Sequence, residues 1–220
     1  CQVSALNNYL GKNYDNLYTI DLVCHGVSSQ KVLDKYISSI EMDEKVTNIL
    51  FRNKDNGYTN GTSNSMQYVF ADSVKTVSYK AGVGLWFASG LSLRESCYKC
   101  NFADTKRCAD ISLADYSVDD LTDDEKQFGV SLVFVNTEKG EKLINDIADK
   151  AIVESKELDF SIKNCLRLYH KSDAPVCRNK FFKDLEKLSI NKMIDKYTAE
   201  KILPSKVLLY FNAIKRKFKF

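Results

Sequence analysis

Cys97-Tyr98-Lys99-Cys100 sets two thiols three positions apart, a spacing that turns both sulfurs toward one metal ion or one corner of an iron-sulfur cluster. Alone, the pair fits three chemistries: half a zinc site, a thiol-disulfide couple, or two ligands of a cluster. A thioredoxin-like couple wants its C-x-x-C at a strand end opening a helix. Here Asn101, Asp104 and Thr105 continue as a polar loop, which disfavours disulfide exchange. A closed metal site needs two more ligands, and the chain offers Cys1, Cys24, Cys108, Cys165, Cys177, His25 and His170. Cys24 is best placed, at a strand end held by a turn at Gly26. Cys1 precedes a helix, whose N–H groups favour a thiolate over a thiol. Cys108 lies close to the C-x-x-C and competes with Cys1. Cys165, between Ile162 and Leu166 in an expected helix, and Cys177, before a basic run, read as packing cysteines. Free thiols without any metal are the plain alternative for the whole set.

His25 can tune the Cys24 thiolate or face a cofactor, or it is simply a turn histidine bonded to backbone. His170, in Tyr169-His170-Lys171, reads as solvent-facing. With two histidines and no H-E-x-x-H, a metallohydrolase of that type is excluded. No P-loop, G-x-G-x-x-G or G-x-S-x-G occurs, so glycine motifs supply no argument for nucleotide or acyl-transfer chemistry.

The elements that must position these residues follow from periodicity. Helical spacing over 3–12 closes on Gly11, and a strand over 17–23 runs into Cys24-His25-Gly26. Ser28 or Ser29 then caps a helix containing Val32, Leu33, Tyr36, Ile37 and Ile40. Strands are expected over 46–51, in a hairpin over 66–79 turning near Asp72-Ser73, at 111–113 and over 129–135. Residues 53–64 read as a polar loop, 82–93 and 138–151 as helices. Beyond about 160 strand signals vanish, and helices are expected at 178–188, 190–197 and 205–218. The alternation predicts an α/β fold, a mixed sheet flanked by helices with a helical C-terminal appendage. The expected domains are an α/β domain over 1–160 and a helical extension over 161–220.

Composition agrees with a globular chain. At 220 residues it is about one and a half times a typical domain, with 44% hydrophobic and 28% charged residues. Seven cysteines, an odd number, are many for a cytosolic chain and far too few for a disulfide-stapled miniprotein, which favours metal or cluster ligation. The net charge of +3 is too small to imply nucleic-acid binding. No secretory signal or membrane-spanning stretch is evident, so a cytoplasmic location is expected. The opening on Cys1, with no methionine, is expected of a fragment. Basicity is local: Lys206, Lys215, Arg216, Lys217 and Lys219 give +5 over 205–220 and leave −2 for the rest. Val207, Phe211, Ile214 and Phe218 share a helical face beneath them. That pattern permits peripheral contact with an anionic membrane, or simply a terminal helix packed on the body.

Several segments together carry a resemblance. Cys1-Gln2, the block Asp21-Leu22-Val23-Cys24-His25-Gly26-Val27-Ser28-Ser29, Phe51-Arg52-Asn53-Lys54, Arg94-Glu95-Ser96-Cys97-Tyr98-Lys99-Cys100-Asn101-Phe102, residues 107–115 and Gly129-Val130-Ser131-Leu132-Val133 occur in order. Over about residues 1–190 the chain resembles the C-terminal domain of the coenzyme F-420 hydrogenase/dehydrogenase beta subunit family. The resemblance implies an oxidoreductase subunit with FAD and a 4Fe-4S cluster, passing electrons between a partner redox protein or fused ferredoxin module and a deazaflavin or other acceptor. By position it implies Cys1, Cys24, Cys97 and Cys100 as cluster ligands, whose sulfurs should converge. Arg52, Lys54 and His25 are implied as cofactor-binding, Arg52 and Lys54 by holding flavin phosphates or an acidic coenzyme tail. Where the family reads Gly-Asp-Phe-Trp, this chain has Ala114-Asp115-Tyr116-Ser117. Bacterial members encoded beside surface-polysaccharide genes leave the acceptor open and suggest a tie to polysaccharide biosynthesis. The alternative from another class is a zinc-bound or metal-free scaffold that docks on a membrane or glycosyltransferase partner.

Overall fold

A computed structural model describes residues 1–41, 44–53, 65–79, 81–116, 121–163 and 165–202. The expected loop at 53–64, Lys54 and the whole basic tail thus fall wholly or largely outside the described residues. Helix α1 (Gln2–Leu10) ends where Gly11 takes φ 65°, a left-handed conformation that stops the helix without a Cβ penalty. Strand β1 (Ile20–Leu22) is shorter than the apolar run around it. Helix α2 (Gln30–Ile40) has Ser29 at its N-cap, yet neither expected serine caps it: Ser29 makes no side-chain cap bond, and Ser28 Oγ lies 2.9 Å from Ser92 Oγ. Strands β2 (Asn48–Asn53), β3 (Ser65–Val69) and β4 (Val74–Ser78) follow, β3 and β4 reversing where Phe70 N–H donates to the Ser73 carbonyl.

Helix α3 (Gly82–Ala88) stops short of the expected 93 because Gly90 turns the chain at φ 77°. A 3-10 turn (Glu95–Lys99) carries Cys97. Then come β5 (Ile111–Asp115), α4 (Asp123–Phe128), β6 (Ser131–Val135) and α5 (Glu138–Asp146), followed by the short helices α6 (Leu158–Lys163) and α7 (Leu166–Tyr169). Helices α8 (Arg178–Lys187), α9 (Ile190–Lys196) and α10 (Ala199–Ile202) complete the described chain. No helix among the described residues is long and apolar enough to cross a membrane.

These elements form two compact units, each discontinuous in sequence: residues 1–25 with 99–171, and 26–98 with 172–220. In the first unit β5 is central in the order β1-β5-β6, parallel to β1 and antiparallel to β6. That is the mixed sheet of an α/β fold. Leu132 and Phe134 alternate inward from β6 onto Cys165 and Leu168. One buried carboxylate ties the unit's entry points together. Asp110 accepts bonds from Thr19 N–H and Oγ1, both at 2.8 Å, and from Thr137 Oγ1 at 2.6 Å. Burial alone would raise its pKa, but these hydrogen bonds outweigh burial and hold it below the ordinary aspartate value. Gly140 of α5 abuts the Asp110 carbonyl so closely that an added Cβ would collide with it.

The second unit is an antiparallel meander, order β2-β3-β4, packed against α2, α3, α8 and α9. Met66 and Tyr68 face inward from β3 by strand alternation. Trp86 and Phe181 are fully buried with rings 5.1 Å apart in an edge-on packing, and the Trp86 indole N–H donates to the Tyr197 carbonyl at 3.0 Å. The segment expected as a C-terminal extension therefore divides: 161–171 belong to the first unit, while α8 and α9 supply Phe181, Leu185, Ile190 and Met193 to the core of the second.

Candidate functional site

Cys97 lies half-buried in the 3-10 turn, in the second unit. The chain beneath it is stapled in order: Arg94 N–H donates to the Val27 carbonyl at 2.8 Å and Cys97 N–H to the Arg94 carbonyl at 3.0 Å. Val27 N–H then donates to Cys97 Sγ at 3.3 Å. Gly26 makes this approach possible. Its φ is 141°, and a Cβ there would lie 2.6 Å from Leu93 Cδ1. The glycine of the Cys24-His25-Gly26 block is thus required by the backbone that meets the C-x-x-C turn.

Tyr98 anchors the turn from its other side. Its hydroxyl donates to the Gly90 carbonyl at 2.5 Å and accepts from Arg178 Nε at 3.0 Å. Burial holds this phenol above its ordinary pKa against the opposing pull of Arg178, so it stays protonated and able to donate.

In the first unit Cys100 is half-buried and its Sγ accepts from Phe102 N–H at 3.4 Å. Its loop is pinned by Arg107. Nη1 donates to the Phe102 carbonyl at 2.8 Å, Nη2 to the Leu22 carbonyl at 3.2 Å, and Nε to Ser112 Oγ at 3.1 Å. Nη2 also lies 2.9 Å from Asp21 Oδ1, an ion pair without hydrogen-bond alignment, since that oxygen is buried and has no hydrogen-bond donor. The guanidinium therefore joins the Cys100 loop to β1 and to β5. Two residues past β1 comes Cys24, which is exposed. Val23 N–H still donates to the Leu113 carbonyl at 2.8 Å, extending the parallel pairing almost to Cys24.

The remaining candidates separate by environment. Cys1 is exposed at the N-cap of α1, and its side chain makes no cap bond. Cys108 is exposed, with its carbonyl accepting from Asn7 Nδ2. Cys165 is buried in the first unit's core, where burial pushes its thiol pKa up, and Cys177 packs against the second unit's core. Both behave as the packing cysteines expected. His25 is half-buried, and Arg52 is exposed on β2. Among the described residues no group of three or more His, Cys, Asp or Glu side chains is gathered as a metal site. Of the four implied ligands, Cys1, Cys24 and Cys100 belong to the first unit and Cys97 to the second.

The first unit also contains a cavity of about 960 Å³ along β6, walled by apolar side chains including Phe128, Val133, Ile147 and Leu158.

The order of these pinned segments along the chain now has a counterpart. The family model for the C terminus of the coenzyme F420 hydrogenase/dehydrogenase beta subunit matches residues 1–160. The chain belongs to this family. No curated protein matches it.

Two cofactors are implied for such a beta-subunit domain, and the residues fit them unequally. For an iron-sulfur cluster the donor chemistry fits: two free, half-buried thiols at C-x-x-C spacing each accept a backbone N–H, the interaction that stabilises negative sulfur. For a flavin dinucleotide the cavity does not fit. Asp124, Glu125 and Glu154 line it against Lys156, which is paired with Glu154, and Arg107, which is paired with Asp21. A diphosphate would meet an excess of carboxylates there.

Sequence reasoning singled out the cysteines and gave no role to Arg107, Tyr98 or Arg178. A lone arginine in the polar run Asp104-Thr105-Lys106-Arg107 carries no signal of burial. Its 7% side-chain exposure arises from partners some eighty residues away.

Proposed function

We propose that this domain is an electron-transfer module of a hydrogenase/dehydrogenase-type oxidoreductase, with Cys1, Cys24, Cys97 and Cys100 as thiolate ligands of a 4Fe-4S cluster. The observation that carries the reading is the pair of N–H···Sγ bonds, Val27 to Cys97 and Phe102 to Cys100, in a chain of this family. Four thiolates satisfy the ligand need of such a cluster, which when bound stores and releases one electron. The protein's part is to orient and tune. Backbone donors to sulfur favour the reduced, more negative state, and Arg107 keeps the Cys100 loop against β1.

The electrons would pass between a partner redox protein, or a ferredoxin module, and a deazaflavin or other acceptor. A flavin would find a phosphate partner in Arg52, exposed on β2, rather than in the cavity along β6.

The test is iron, sulfide and flavin quantification on protein prepared without air, in the wild type and in Cys24→Ala and Cys100→Ala. Ligand loss should remove iron and lower the melting temperature together, because cluster binding is coupled to folding. Full iron content in both variants refutes the ligand set. Stoichiometric zinc in the wild type instead supports the scaffold alternative.

A further inference from the structure

The turn that carries Cys97 is gripped by a residue beyond the matched residues 1–160. We infer that Arg178, the first residue of α8, is a positioning residue for Cys97, acting through Tyr98 and Leu93. The ligand role of Cys97 rests on the proposed function; the grip itself does not.

Arg178 Nε donates to Tyr98 Oη and Nη2 donates to the Leu93 carbonyl, both at 3.0 Å. Its guanidinium lies 5.0 Å from the Tyr98 ring centroid and 4.7 Å from that of Phe182. One planar fork therefore holds the chain on both sides of Cys97: Leu93 before it and Tyr98 after it. The Tyr98 hydroxyl passes the restraint to Gly90, where the chain leaves α3. Arg94, next to Leu93, is bonded to Val27, and Val27 N–H is the donor to Cys97 Sγ. Fixing Leu93 and Tyr98 thus fixes the distance between that donor and that sulfur.

The residue type matters. Lysine is a compact point charge on a flexible stem and lacks the rigid fork that donates along two fixed directions, to Tyr98 and to Leu93, from beside both rings. Tyr98→Phe keeps the ring and removes the hydroxyl's bonds to the Gly90 and Leu93 carbonyls and from Arg178. Either change should let the turn open and release Cys97 from the Val27 N–H without emptying the core.

The experiment uses the full chain as wild type, Arg178→Lys, Tyr98→Phe and, as a control for general loosening, Ile190→Val in the same core. In metal-free protein, the iodoacetamide alkylation rate of Cys97 is compared with that of Cys108 by peptide mass spectrometry. Arg178→Lys and Tyr98→Phe should raise the ratio about fivefold, as expected for the loss of one hydrogen bond of ordinary strength, while Ile190→Val leaves it unchanged. After anaerobic reconstitution with iron and sulfide, the same two variants should shift the midpoint potential and the electron paramagnetic resonance spectrum of the reduced protein, and Ile190→Val should shift neither.

An unchanged alkylation ratio in both Arg178→Lys and Tyr98→Phe overturns the inference, as does an equal rise in Ile190→Val. A wild type that takes up no iron, with the ratio still raised in the two variants, leaves the grip standing and defeats the cluster reading.

Discussion

Arg107 and Asp110 carry much of the order around the site with side chains whose roles depend on the folded chain. The Arg107 and Asp21 side chains are 7% and 11% exposed, so Arg107→Ala leaves a carboxylate buried without its counter-charge. It should cost about 3–5 kcal/mol, read as a fall in the denaturation midpoint. Asp110 gives the pH dependence. Its folded pKa lies below the ordinary 3.8, so its contribution is fully present above that value and is lost as pH falls through the lower folded value. In the wild type this contribution to stability should fall away below about pH 4. In Asp110→Asn, which should cost about 1–2 kcal/mol at neutral pH, that part of the acid decline should be absent from denaturation curves. Neither role is legible in sequence. Asp110 is one acid in Ala109-Asp110-Ile111, and its partners Thr19 and Thr137 lie far off in the chain on either side.

Elements are most legible where periodicity is strong and local. The β3–β4 hairpin stands where the alternation of 66–79 predicts it, because a two-residue period with an Asp-Ser turn has no helical competitor. Helix α4 gives no such signal, although Thr122 and Glu125 form a reciprocal capping box, since Asp123-Asp124-Glu125-Lys126 has no apolar face to announce it. The helix expected around Cys165 is divided into two short ones, α6 before it and α7 after it, with Cys165 at the N-cap of α7. The end of α3 departs from expectation because apolar residues continue past Gly90 while the helical backbone does not. At this scale the sharpest test is the contact of α5 with the start of β5. Gly140→Ala would drive a Cβ into the Asp110 carbonyl and should cost about 1–3 kcal/mol, measured as a loss of melting temperature. Gly11→Ala, with nothing near its added Cβ, should cost less, only the strain of its positive φ.

For the whole molecule, the α/β class and the family were legible, the first from alternating strands and helices and the second from ordered blocks around Cys24 and Cys97. The division into units was not, because each is assembled from segments that only long-range packing unites. A consequence follows for any attempt to produce the matched residues 1–160 alone. Such a piece lacks Phe181, Leu185, Ile190 and Met193, all buried in the core shared with Trp86 and Tyr68. Deletion of one such large side chain costs about 2–5 kcal/mol, so losing all of them should leave residues 26–98 unfolded. Limited proteolysis should then cut within 26–98 while fragments from 99–160 resist; equal resistance in both regions would contradict the assignment of α8 and α9 to that core.

Trp86 is the chain's single tryptophan, sealed from water in one unit only. Its emission is consequently a private channel. Excited at the red edge of indole absorption, it will report when the core it shares with Phe181 loosens. The unit bearing Cys24 and Cys100 holds no indole of its own, so its unfolding must be followed through an attached dye.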